Sequence, residues 1–430
     1  MAPDRFTPEN TEFVILSFEG PDQPYSQAGG LGVRVSNLSI ALARQEFQTH
    51  LYFVGDPELP GVEERENGKL RLNRWNQWQS GHHRGGVYDN EEWKVDEFQE
   101  TIPNHVTQFV VRPAVEAGKS VVIIAEEWHT AETLARLSDS LHFLGMRKSC
   151  VLMWNANNDM SLHRVNWGRL GYVCQLTAVS RYLKHQMRAL SVDAMVIPNG
   201  IPKWMLEEVP PEPVKLLREA VGGKPFFFKL GRMDPDKGWL QAADALARLK
   251  GDGARARLVM KGGTAEDHRG HFFGHASWLG LRTAEIHPAS GSLADLAAAL
   301  AAEAEADILD IQTFIPDDAL PVLYAAADGV LANSGYEPFG LVGLEAMASG
   351  GIAYVGSTGE DYALSTQNAV VLDTGDGDGI AVMAMELQRD PEWAKDLRRR
   401  ARETAAMFTW DEAIGVLLRK LPLMAATQMA

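Results

Sequence analysis

Two cysteines, Cys150 and Cys174, are all that this chain of 430 residues holds. That excludes a disulfide framework and fits a reducing cytoplasm, with both thiols expected as small buried hydrophobes. Neither cysteine sits in a metal-ligand spacing, and no carboxylate pair at a strand end reads as a metal-binding arrangement, so neither a metal nor another cofactor is expected. No apolar run approaches the roughly 18 residues of a membrane span. Met1 to Glu12 is polar and lacks the apolar core of a signal peptide. Positive charge is scarce, with 41 basic against 57 acidic residues and a formal net charge of −16. This argues against nucleic acid as a partner, and less strongly against an anionic membrane surface. A nucleotide ligand stays open, because a few placed cations in a cleft outweigh the global sign.

What is present is an alternation of apolar strand-like and amphipathic helix-like segments, the pattern of parallel sheets with crossover helices. Strands are expected at Phe13–Phe18, Thr49–Val54, Ser120–Ala125, Val151–Trp154 and Leu176–Val179, with helices at Leu31–Arg44 and about Thr130–Leu144. Pro202, Pro210, Pro211 and Pro213 then read as a linker. The alternation restarts with strands at Phe226–Leu230, Arg257–Met260, Ile308–Thr313, Gly329–Asn333, Ile352–Val355 and Ala369–Leu372. Asp317 or Asp318 can cap a helix through Tyr324. The length suits about two domains, expected at 1–205 and 206–405, with a last helix in 406–430. Residues 56–105 break the pattern and read as a long insertion, functional or mobile. Its Trp75, Trp78 and Trp93 are candidates for stacking on an acceptor sugar, although loop aromatics more often pin a loop down.

The richest string is Glu337-Pro338-Phe339-Gly340-Leu341-Val342-Gly343-Leu344-Glu345. It spans a strand end, a tight turn and the first turns of a helix, the place where open α/β sheets bind ligands. Free amides near Phe339, Gly340 and Leu341 and the helix N-terminus favour a phosphate. Glu345, about one turn into the helix, can reach a sugar diol. Gly29-Gly30-Leu31-Gly32 follows the first strand, where glycines let a backbone approach a phosphate or sugar closely. It is not the dinucleotide fingerprint, whose third glycine is replaced here by Val35. Glu127-Trp128-His129-Thr130 and Gly231-Arg232-Met233-Asp234-Pro235-Asp236-Lys237-Gly238 each follow a strand. Alone, His129 reads as structural and the two cations as a solvated loop.

Together these segments resemble the retaining nucleotide-sugar glycosyltransferases of group 1 (family 4), with local similarity to glycogen synthase. The resemblance is strongest over residues 225–360, and it leaves 56–105 without a counterpart. It implies an α/β fold of GT-B architecture, two Rossmann-like domains facing across a cleft, with the last helix crossing back to the first domain. It implies transfer of a sugar, expected to be a hexose, from a nucleotide-sugar to a small-molecule or glycan hydroxyl, with retention and without metal. In that reading Arg232 and Lys237 neutralise the diphosphate, while Gly29, Gly30, Gly32 and the amides of Phe339–Leu341 cradle phosphate and sugar. Glu345 holds the ribose, Glu337 the donor-sugar hydroxyls, and His129 the sugar from the first domain. Phe314 and Ile315 place backbone groups on the base edge. Ser357-Thr358-Gly359-Glu360 departs from the family's Gly-Gly-x-x-Glu, which leaves that loop without an assigned role. A nucleotide-sugar epimerase of the same fold and a non-catalytic nucleotide-sugar-binding protein remain as alternatives. The donor base, the sugar, the acceptor and the oligomeric state are not legible.

Overall fold

The computed structural model describes residues 6–263, 266–316, 318–372 and 375–429. The chain divides into two compact units, Met1–Gly200 with Trp410–Ala430, and Ile201–Thr409.

The first unit is built on eight strands: β1 (Thr11–Leu16), β2 (Gln48–Val54), β3 (Val62–Arg65), β4 (Leu70–Trp75), β5 (Ser120–Glu126), β6 (Cys150–Ala156), β7 (Gln175–Ala178) and β8 (Met195–Val196). Their order is β3-β4-β2-β1-β5-β6-β7-β8. All neighbours are parallel except β3 and β4. The central strands read Phe-Val-Ile-Leu and Val-Val-Ile-Ile, near-continuous apolar runs suited to a sheet covered on both faces. The helix Gly30–Arg44 buries Val35, Leu38 and Leu42 against one face. The last helix, Trp410–Gln428, adds Ile414, Leu417 and Leu421 to the same core.

Residues 56–105 are not a loop inserted between elements. They supply β3 and β4, which extend the sheet beyond β2, and the helix Glu91–Val106. The sequence hid these strands because they lie at the sheet edge. In β4 only Leu70 and Leu72 alternate as buried apolar residues, while Arg71, Asn73 and Arg74 separate or follow them.

The second unit carries β9 (Phe226–Gly231), β10 (Arg257–Gly262), β11 (Thr283–Ile286), β12 (Ile308–Ile311), β13 (Gly329–Ala332), β14 (Ala353–Val355) and β15 (Val370–Val371). Their order is β11-β12-β10-β9-β13-β14-β15, all parallel. The chain builds outward from β9 in one direction and then, with β13, in the other. The β9–β13 boundary is therefore the topological switch point, where crossovers leave opposite faces and a crevice opens at the strand C-termini. In the first unit the same logic places the switch between β1 and β5.

The helix Leu320–Ala326 has Ala319 at its N-cap and no side-chain cap, so Asp318 does not serve there. Asp317 lies outside the described residues.

Candidate active site

The loop after β9 and the loop after β13 are joined at the switch point. The Gly335 amide donates to the Asp236 carbonyl at 2.7 Å, and the Asn333 side-chain amide donates to the Gly238 carbonyl at 3.0 Å. The join requires glycine at 238. Its φ is +68°, and a Cβ there would stand 2.3 Å from the Asn333 carbonyl oxygen. This approach brings two residues a hundred positions apart together: Lys237 Nζ lies 3.2 Å from Glu337 Oε2. Asp236 makes a second ion pair with Lys237 at 3.2 Å. Burial alone would lower the Lys237 pKa, but Glu337 and Asp236 more than offset it and hold it above the usual lysine range. Lys237 therefore stays charged at neutral pH.

Glu337 is fixed from several sides. Ser334 Oγ donates to its carboxylate at 3.3 Å. Its backbone N–H donates to Thr358 Oγ1 at 2.9 Å, and that hydroxyl donates back to the Glu337 carbonyl at 2.9 Å. The Gly359 amide donates to the same carbonyl at 2.8 Å. Thr358 thus gives its loop a concrete task, to lock the Glu337 backbone. The Thr358 amide in turn donates to Glu360 at 3.1 Å. Burial, with Glu337's charge adding to it, pushes Glu360 up to about 7.

Past Glu337 the chain turns through Gly340 at φ +80°, where a Cβ would meet Glu360 and Tyr362 at 2.9 Å. Tyr362 also donates its hydroxyl to the Gly340 carbonyl. The helix Leu341–Ala348 then starts without a side-chain cap. Glu345 lies one turn in, accepting from the Tyr324 hydroxyl at 3.0 Å. An open pocket adjoins both loops, lined among others by Asp236, Asn333, Ser334, Gly335 and Ser357.

Other expected site residues stand differently. Arg232 is 63% exposed and pairs with Asp234 on its own loop at 2.9 Å, so it does not share Lys237's partner. Phe339 is buried, edge-on to Tyr362 with centroids 5.8 Å apart, so its ring belongs to the core and only its backbone is offered. Phe314 is exposed while Ile315 is buried. Lys229 on β9 escaped the sequence reading. It is buried, donates to the Leu331 carbonyl at 3.0 Å and bonds the Asn333 side chain. Desolvation, and then Lys237's charge, lower its pKa to about 7.

At the first unit's switch point the glycine loop is already bonded to an internal anion. The buried carboxylate of Glu19 accepts from the amides of Ala28, Gly29 and Gly32 at 3.2, 2.8 and 2.9 Å. Tyr88 donates its hydroxyl to the same carboxylate. Two of the three glycine amides expected to cradle phosphate are thus taken by Glu19, whereas a Cβ at Gly30 would meet nothing within 4 Å. His129, after β5, is buried and stacks on Phe18 and Trp128 with centroids 4.3 and 4.1 Å apart. Its Nε2 lies 2.8 Å from Glu91, a residue of the former insertion, and its Nδ1 has no partner among the described residues. Desolvation lowers the His129 pKa, with Glu91 opposing it. Beside it Glu127 holds a strained φ of +64°, and burial pushes its carboxyl up to about 7.

The three tryptophans separate. Trp75 is pinned, donating to Thr101 at 2.8 Å and packing edge-on to Tyr52 and His105. Trp78 and Trp93 are exposed and pack edge-to-face at 5.3 Å.

Residues 218–404 match the family model described as glycosyl transferases group 1. Among curated proteins, the chain is similar to a GDP-mannose-dependent alpha-(1-6)-phosphatidylinositol dimannoside mannosyltransferase of Mycobacterium tuberculosis (strain ATCC 25177 / H37Ra). The two are 29% identical over 198 residues, 46% of this chain and 44% of that protein. The chain spans less than half the length of the curated relatives it matches. Among solved structures, it superposes on sucrose-phosphate synthase from Thermosynechococcus elongatus with a TM-score of 0.70 at 19% identity, covering 96% of this chain and 99% of that one. It also superposes on the catalytic domain of Starch Synthase IV from Arabidopsis thaliana, bound to ADP and acarbose, with a TM-score of 0.67 at 16% identity and coverage of 97% and 99%. The match to the group 1 model is thus confined to residues 218–404, while the GT-B fold of these solved structures extends over nearly the whole chain.

Proposed function

We propose that this protein is a retaining glycosyltransferase that moves a hexose from a nucleotide-sugar to an acceptor hydroxyl without a metal. The observation that carries the reading is the Lys237–Glu337 pair at the β9–β13 switch point, inside the stretch that matches the family model. A fixed cation at this strand edge is the group that a departing diphosphate needs. In the proposed step the acceptor oxygen bonds to the anomeric carbon as the bond from that carbon to the phosphate oxygen breaks. The electron pair leaves on the phosphate, and the acceptor's proton moves to the same oxygen. Both events occur on one face, so configuration is kept and no protein nucleophile is required.

The residues divide the work. Lys237 neutralises the phosphate charge that grows in the transition state. Arg232 joins it by exchanging Asp234 for the diphosphate, an exchange its exposed position permits. The uncapped start of the helix Leu341–Ala348 offers amides to phosphate. Glu345, steadied by Tyr324, takes the ribose diol, and Glu337 takes donor-sugar hydroxyls. In the first unit we assign sugar contacts to His129, Gly30 and the exposed Trp78 and Trp93, with Trp75 kept as scaffold. One similar protein is GDP-mannose-dependent and another is bound to ADP, so the base is left to experiment.

The test is to incubate the purified chain with UDP-, ADP- and GDP-hexoses, a panel of simple sugar acceptors, and a chelator. Expected is acceptor-dependent release of one nucleoside diphosphate, unaffected by the chelator, with an α-linked donor giving an α-linked product by NMR. An inverted product, or chelator-sensitive release, would contradict the proposed mechanism. Epimerised donor without release of nucleotide would favour an epimerase.

A further inference from the structure

At the opposite end of the second unit's strands, where β9, β13 and β14 begin, lies another pocket. None of its residues takes part in the site described above. Its apolar surface is made by Ile352, Leu387 and Ala384. Around this surface stand Arg218, Lys224, Lys395 and Arg398 against a single carboxylate, Asp328. In a chain of net charge −16 such a concentration of cations is a local exception.

The charges are unequally satisfied. Asp328 is held by Arg218 at 3.1 Å and by the Phe226 amide at 2.8 Å. Arg398 is anchored on the carbonyls of Gly350 and Ala327 at 2.7 and 2.9 Å. The head groups of Lys224 and Lys395 have no ion-pair partner among the described residues. Two polar atoms lining the pocket are also orphaned. The hydroxyl of Tyr354, whose side chain is 0% exposed, and the side-chain nitrogen of Gln388 are both buried without a hydrogen-bond partner among the described residues. Buried polar groups are nearly always paired, so two such donors in one pocket point to a missing acceptor.

We propose that this pocket binds a small organic phosphate. Lys224 and Lys395 meet its phosphate, Ile352 and Leu387 its apolar body, and Tyr354 and Gln388 donate to its acceptor oxygens. The proposal stands independently of the transferase reading, because it uses the other edge of the sheet.

The test uses the full chain, with phenyl phosphate as probe and with inorganic phosphate and phenol as controls. Titration calorimetry compares the wild type, Lys224→Glu/Lys395→Glu, and Lys237→Ala. Expected is binding of phenyl phosphate that survives Lys237→Ala and weakens at least about tenfold in the double variant, with each control binding more weakly than the probe. Loss in Lys237→Ala with retention in the double variant would place the anion at the other site and overturn the proposal. So would absence of binding to the wild type. Hydrogen exchange on the wild type gives a readout that does not depend on any variant folding. Phenyl phosphate should protect amides in the helices Asp378–Arg389 and Pro391–Ala405, and unchanged exchange there would overturn the assignment.

Discussion

In the proposed reaction Lys237 acts through its charge and its fixed place, held by Asp236 and Glu337 and carried on a loop that only glycine at 238 allows. Its contribution should appear where phosphate charge grows, in the transition state. Lys237→Ala is expected to lower kcat by about 10²–10³, with a smaller change in KM, and Lys237→Arg to recover part of the loss. Steady-state kinetics with whichever nucleotide-hexose the incubation test selects checks this. A second residue-scale outcome concerns pH. Burial raises Glu360 from 4.5 to about 7. Below about pH 4.5 both the folded and the unfolded chain carry the proton, and Glu360 costs nothing. As pH rises toward 7 the unfolded chain has released the proton while the fold retains it, so stability falls; above 7 the loss is complete. Glu360→Gln removes this term. Its stability relative to wild type should grow by up to about 1.4 kcal/mol per pH unit across that window, as read from denaturant unfolding at several pH values. A pH-independent difference would refute the assignment.

At the scale of elements, the strands that build both switch points were legible because they are buried on both faces and read as unbroken apolar runs. Edge strands were not. β3, with the sequence Val-Glu-Glu-Arg, carries no apolar pattern, and β4 hides two inward leucines among polar residues, so 56–105 looked like an insertion. The same limit applied to the site. Glu337 and Glu345 stood out as candidates by their turn-and-helix context, whereas Lys237 became a candidate only through the family resemblance. Thr358, Ser334, Lys229 and Glu19 act through contacts made only on folding, and none carries a local spacing signal. The edge also divides the tryptophans. Trp75→Ala, which removes packing on Tyr52 and His105 and a hydrogen bond to Thr101, should cost about 2–4 kcal/mol. Trp78→Ala should stay within about 0.5 kcal/mol in thermal unfolding, while weakening acceptor binding.

For the whole chain, the last helix is expected to decide whether the first unit folds. Trp410, Ile414, Leu417, Leu421 and Met424 are buried, each 4% exposed or less. At about 1.5–3 kcal/mol for each buried side chain, their loss rivals the 5–15 kcal/mol margin of an ordinary domain. A chain ending at Thr409 is expected to lose cooperative unfolding of the first unit, while the second unit, residues 201–409, keeps its own transition in calorimetry. Two unaltered transitions would show that the helix is dispensable.

The central claim is that the Lys237–Glu337 pair marks a nucleotide-sugar site, and a binding measurement tests it before any acceptor is known. UDP, ADP and GDP are titrated in turn into the wild type and into Lys237→Ala. The expected result is saturable binding of one diphosphate to the wild type, weakened at least about tenfold by the substitution, equivalent to about 1.4 kcal/mol. Binding unchanged by Lys237→Ala, or no binding of any of the three to the wild type, would contradict the claim.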